Sequence, residues 1–94
     1  MTVELLEKLC MLNGASGDEN RVRDFILSEI SGYCEYRVDH LGNIIADKKG
    51  KSTSSKKVMI SAHMDEVGMI VTSVKSDGTL TVSPVGGIDP RVAI

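Results

Sequence analysis

The spacing of apolar side chains changes from helical to alternating as the chain proceeds, and each change predicts an element. Val3, Leu6, Leu9 and Cys10 recur at helical intervals, which predicts a helix over 3–12, with Thr2 placed to cap it and Asn13-Gly14 to end it. After the loop Gly14-Ala-Ser-Gly17, Ser16 and Glu19 have the S-x-x-E spacing of a capping box. Val22, Phe25, Ile26 and Ile30 then mark one face of a second helix, closed by Ser31-Gly32. From Tyr33 to His40 the period becomes two, with Cys34, Tyr36 and Val38 on one side and Glu35, Arg37 and Asp39 on the other. That alternation predicts a half-buried strand.

Leu41-Gly42-Asn43 reads as a turn, and Ile44-Ile45-Ala46 as a second strand completing a hairpin, with Gly42 or Asn43 supplying the positive φ. Lys48 to Lys57 is rich in Lys, Ser, Gly and Thr and reads as a solvated loop rather than a basic docking patch. Val58 to Ala62 is apolar on both faces, which predicts a central strand covered on two sides. Met69 to Val74 and Thr79 to Ser83, joined by Ser76-Asp77-Gly78, predict a second hairpin. Pro84 to Pro90 reads as a loop, and Arg91 to Ile94 as the start of another strand.

Composition narrows the function classes. Ninety-four residues fit one small domain, too short for a large enzyme with its own deep cleft. Hydrophobic residues are 41% and charged residues 26%, a globular balance. Phe25, Tyr33 and Tyr36 are the only aromatics, so there is no ring platform for single-stranded nucleic acid. A net charge of -2 gives no reason to expect a polyanionic partner, so no nucleic-acid partner is expected. No apolar stretch approaches the ~18 residues of a membrane span, and no secretory leader is visible. No membrane partner is expected, and the chain reads as cytoplasmic. Cys10 and Cys34 lack metal-ligand spacing and read as two buried free thiols.

Candidate chemistry centres on the run Val58-Met-Ile-Ser-Ala-His-Met-Asp-Glu-Val-Gly68. In an extended segment His63 and Asp65 point the same way, so one can bind a cation while the other orients it. The H-x-D pattern alone leaves two readings open: a metal site, or a strand end with two polar residues leaving the core. His40, before its glycine turn, reads as a hydrogen-bonded surface histidine. No Ser-His-Asp or Cys-His relay can be assembled from the pattern.

Several stretches coincide in order: Gly14-Ala-Ser-Gly17 before a helix, Asp39-His-Leu-Gly-Asn43, His63-Met-Asp-Glu-Val-Gly68 and Val85-Gly-Gly-Ile88. Together they resemble the start of the tetrahedral aminopeptidase family, co-catalytic metallopeptidases described as glutamyl or deblocking aminopeptidases and often labelled endoglucanase or cellulase. The resemblance implies a cytoplasmic enzyme that uses two divalent ions, zinc or cobalt, to remove N-terminal residues from peptides. Two such ions about 3.5–4 Å apart activate a shared water and polarise the scissile carbonyl. It further implies that His63 binds one metal and that Asp65 sits behind it, orienting the ring. Glu66 is then structural rather than the general base.

The fold implied is α/β: two helices and then strands, the N-terminal piece of a zinc-peptidase-like domain running into the first strands of an inserted β-rich domain. Residues 1–68 would open the catalytic domain, and 69–94 would begin the inserted one. In the family the remaining metal ligands and the general base lie beyond the matched region, so the chain is expected to be an N-terminal fragment. Alone it is expected to hold at most one weak metal site and to be inactive. Expected partners are a peptide substrate, further copies of the chain, or the remaining part of the enzyme. The alternative is a non-catalytic interaction module whose open strands pair with full-length subunits. A cellulase reading has no physical support: glycoside hydrolysis usually needs two carboxyl groups flanking the sugar and a cleft, often with aromatic platforms, and the chain has no tryptophan and only three aromatics.

Overall fold

The computed structural model describes residues 2–52 and 56–92. Helix α1 spans Thr2–Cys10 and helix α2 spans Asn20–Ile30, followed by strands β1 (Glu35–Val38), β2 (Ile44–Asp47), β3 (Gly68–Val74) and β4 (Leu80–Val85). A short 3-10 turn covers Pro90–Val92. The strands form two separate antiparallel hairpins, β1-β2 and β3-β4. This is the expected α/β order of two helices and then strands.

The first hairpin runs in register from Glu35 opposite Asp47 to Val38 opposite Ile44. Asp39 builds its turn. Its Oδ1 accepts the backbone N–H groups of Leu41 (2.9 Å) and Asn43 (3.0 Å), and its Oδ2 accepts the Asn43 side-chain amide at 2.9 Å. The positive φ falls on Gly42, at 86°. In the second hairpin Gly68 faces Val85 and Val74 faces Leu80, with a bulge between Val71 and Ser73. Thr72, the residue in that bulge, donates its hydroxyl to the Thr81 carbonyl at 3.1 Å.

Val22 on α2, 7% exposed, is the one buried apolar side chain among the described residues. It lies against Gly14, also buried, and a Cβ at that glycine would stand 2.7 Å from Val22 Cγ2. Elsewhere packing is thin. The radius of gyration is 18.1 Å, against roughly 13 Å for a compact chain of about this length.

Several expectations are corrected. Val58 to Ala62 is not a central strand: no strand pairs with it among the described residues, and Val58, Met59 and Ile60 are 89%, 89% and 93% exposed. A double-sided apolar run becomes a central strand only when neighbours pair with both its edges. Strand β1 is exposed on both faces rather than half-buried, because nothing covers its apolar side. Ser16 and Glu19 do not form a capping box. Ser16 donates to Asp65 instead, while Glu19 Oε1 accepts the Gly17 N–H and Glu19 itself stands at the helix N-cap without a side-chain cap bond. Thr2 is the first helical residue rather than a cap. Cys10 is exposed and Cys34 half-buried, both free, since the face of α1 that carries Cys10 has no cover. Pro84 and Val85 belong to β4, and Arg91-Val92 belong to the 3-10 turn rather than to a strand, held by Arg91 N–H donating to Asp89 Oδ1 at 3.0 Å. The rest of that expected strand, and residues 53–55 of the lysine loop, lie outside the described residues.

Candidate functional site

Two segments far apart in sequence meet beside Val22. The Glu66 N–H donates to the Gly14 carbonyl at 2.8 Å, and the Gly14 N–H donates to Glu66 Oε1 at 3.3 Å. Ala15 and Glu66 thereby form an isolated parallel bridge. Gly14 is glycine for a reason of space, because Val22 and the Met64 carbonyl occupy the volume a side chain would need. This clasp brings the loop between α1 and α2 alongside the segment carrying His63 and Asp65.

At that junction the Ser16 hydroxyl donates to Asp65 Oδ2 at 2.6 Å. The other face of Asp65 meets His63, whose Nδ1 lies 2.9 Å from the Asp65 carbonyl oxygen and 3.1 Å from Oδ1. The Ser16 bond, ahead of the His63 contact, holds the Asp65 carboxyl below its ordinary value of 3.8. Asp65 is therefore a carboxylate that only accepts, and so is its backbone carbonyl. Both partners of Nδ1 being acceptors, Nδ1 carries the proton. In the neutral ring the lone pair then resides on Nε2, the tautomer a metal-binding histidine uses. The His63 side chain is 86% exposed and the Asp65 side chain 42%.

His63 and Asp65 border an open hollow of about 160 Å³ that also touches Arg23 at the start of α2 and Gly42-Asn43 at the β1-β2 turn. Arg23 donates to Asn20 Oδ1, and its guanidinium lies close over Gly42, 2.8 Å from where a Cβ would stand. The Asp39-to-Asn43 turn and the His63 segment, both singled out in the sequence, therefore share one surface. His40 is exposed on that turn. Among the described residues no three His, Cys, Asp or Glu side chains gather at one place. A zinc site takes three or four protein ligands. His63 Nε2 has the chemistry of one such ligand, and Asp65 that of the group behind it.

The arrangement is not a serine nucleophile. The Ser16 hydroxyl points to a carboxylate rather than to an imidazole, so the serine–histidine pairing of such a nucleophile is not formed. Spacing placed His63 and Asp65 on one side of the chain, but gave no sign of the Ser16 bond, because S-x-x-E matched a local cap and obscured a contact across 49 residues.

The sequence model of the M42 glutamyl aminopeptidase family matches residues 42–94. The chain belongs to that family. It is 40% identical over 95 residues to the glutamyl aminopeptidase of Lactococcus lactis, covering 96% of this chain and 26% of that protein. Among solved structures it resembles a Thermotoga maritima protein named as an endoglucanase, with TM-score 0.81 and 52% identity over 93% of this chain and 28% of that one. It also resembles the TET1 peptidase of Pyrococcus horikoshii, which can assemble into a tetrahedron or a large octahedral shell, with TM-score 0.81 and 36% identity over 97% of this chain and 27% of that one. The chain thus spans about a quarter of the length of these M42 relatives. Both names that the resemblance led us to expect, aminopeptidase and endoglucanase, occur among them. Among the described residues no helix is long and apolar enough to cross a membrane.

Proposed function

We propose that these 94 residues serve a metal-dependent aminopeptidase, in which His63 supplies one metal ligand through Nε2 and Asp65 orients the imidazole. The observation that carries this reading is the pair of acceptors from Asp65 on His63 Nδ1, which leaves Nε2 to bind a cation. Membership of the M42 glutamyl aminopeptidase family supports the N-terminal residue of a peptide as the substrate class. The divalent ions, zinc or cobalt, would polarise the scissile carbonyl and activate water. The hollow beside His63 opens to solvent, as a peptide terminus requires. Glu66 serves as a structural clasp through its two bonds to Gly14.

On this reading residues 1–68 belong to the catalytic domain and 69–94 begin the inserted β-rich one. The change of sheet at Gly68, where β3 starts, supports that boundary. The assemblies of the Pyrococcus horikoshii relative support a homo-oligomer. The expected compartment is the cytoplasm. Offering a single ligand, the 94-residue chain by itself is expected to bind zinc weakly and to release no amino acid. The test is hydrolysis of short unblocked peptides by the natural gene product at its full length, with and without a chelator. Metal-dependent release of N-terminal residues, abolished by His63→Ala, is the expected result. Chelator-resistant release, or full activity in the variant, would overturn it.

A further inference from the structure

We propose that Ser16 is a positioning residue for the metal-binding histidine: its hydroxyl fixes the Asp65 carboxylate, which in turn fixes the His63 ring with Nε2 facing outward. The inference rests on the reading of His63 as a ligand, and it names a residue outside the H-x-D segment.

The geometry is a three-member chain. Ser16 Oγ lies 2.6 Å from Asp65 Oδ2, and Asp65 Oδ1 lies 3.1 Å from His63 Nδ1, so the two carboxylate oxygens face opposite partners. A carboxylate on an exposed segment turns freely about its last bond unless one oxygen is held. No other hydrogen bond to Oδ2 is seen among the described residues, so the hydroxyl is what holds it. A hydrogen bond to an ionised acceptor is short and strong, and this one is the shortest in the chain of three. His63 itself is 86% exposed, so little packing orients the ring, and besides the carboxylate its Nδ1 has the Asp65 backbone carbonyl at 2.9 Å.

The location of Ser16 is set independently of the site. The Gly14-Glu66 clasp fixes the loop two residues before Ser16, and α2 begins four residues after it. Ser16 thus reaches Asp65 from the loop between α1 and α2, and couples the helical part of the chain to the metal-binding segment. Threonine retains the hydroxyl; alanine and valine do not.

The test compares Ser16→Ala and Ser16→Thr in the natural gene product at its full length. The first readout needs no metal: the proportion of His63 protonated on Nδ1 rather than Nε2, read from ring 15N shifts in the metal-free protein. The second is zinc affinity, measured with His63→Ala alongside. The backbone amide of Glu66 reports whether the clasp is intact. Ser16→Ala is expected to shift the ring toward the Nε2-protonated form and to weaken zinc by about 10-fold, the low end of what partners behind a ligand contribute. Ser16→Thr is expected to retain both. An alanine variant with unchanged tautomer and zinc affinity would overturn the role of Ser16. Zinc binding that ignores His63→Ala would instead overturn the ligand reading, while the tautomer measurement would still decide whether Ser16 orients the ring.

Discussion

Gly14 and Glu66 hold each other at two points, the Glu66 N–H on the Gly14 carbonyl at 2.8 Å and the Glu66 carboxylate on the Gly14 N–H at 3.3 Å. Through this pair, 52 residues apart in sequence, the loop after α1 lies beside His63 and Asp65. A Cβ at position 14 would meet Val22, the one buried apolar side chain among the described residues, at 2.7 Å. Gly14→Ala is therefore expected to cost about 1–3 kcal/mol, as overpacking does, and to loosen the clasp. Urea unfolding of the full-length gene product checks the cost, and exchange of the Glu66 amide checks the clasp.

The β1-β2 turn presents a second test. Gly42 combines a φ of 86° with the Arg23 guanidinium 2.8 Å from where a Cβ would stand. Gly42→Ala is expected to destabilise the hairpin by roughly 1 kcal/mol from the left-handed backbone alone, and to push Arg23 away from the hollow beside His63. The side-chain resonances of Arg23, together with the unfolding midpoint, read both effects.

Asp39 sets a pH dependence for that hairpin. The Asn43 side-chain amide, followed by the Asn43 and Leu41 backbone N–H groups, holds its carboxyl below the ordinary value of 3.8. A carboxylate whose pKa is lowered by folding contributes stability that is complete above the ordinary carboxylate range and is lost as the pH falls through its own lowered pKa. The turn is thus expected to be insensitive to pH at neutrality and to loosen only under strong acid. Asn43→Ala should raise the Asp39 titration midpoint toward 3.8, measured by carboxyl 13C shifts.

The exposed run Val58-Met59-Ile60 bears on self-association. Three consecutive apolar side chains in water favour self-association. The 94-residue chain is expected to bind an apolar dye and to elute as aggregates, and Ile60→Lys is expected to reduce both. Light scattering during size exclusion measures the change.

Much of this was legible in the sequence because it is local. Helical spacing found both ends of α1 to within two residues and the C-terminal end of α2, whose start the Ser16 cap set three residues early, and the Gly42 and Asp77-Gly78 turns located both hairpins. His63 and Asp65 were legible as a pair because period two places them on one side. Val58 to Ala62 misled for the converse reason. Its apolarity records what should cover it, and pairing depends on strands that no pattern within the run can supply. Ser16 was misread because a capping box and a long-range bond to a carboxylate require the same residue type. Cys10 lies on an apolar helical face, yet that face is buried only when something packs on it.

Metal binding by His63 is decided by the metal content of the full-length gene product after dialysis, beside that of His63→Ala. The variant is expected to lose one tightly bound divalent ion per chain relative to the natural protein while keeping the Gly14-Glu66 clasp. Equal metal content in the two proteins, with the clasp intact in both, would contradict it.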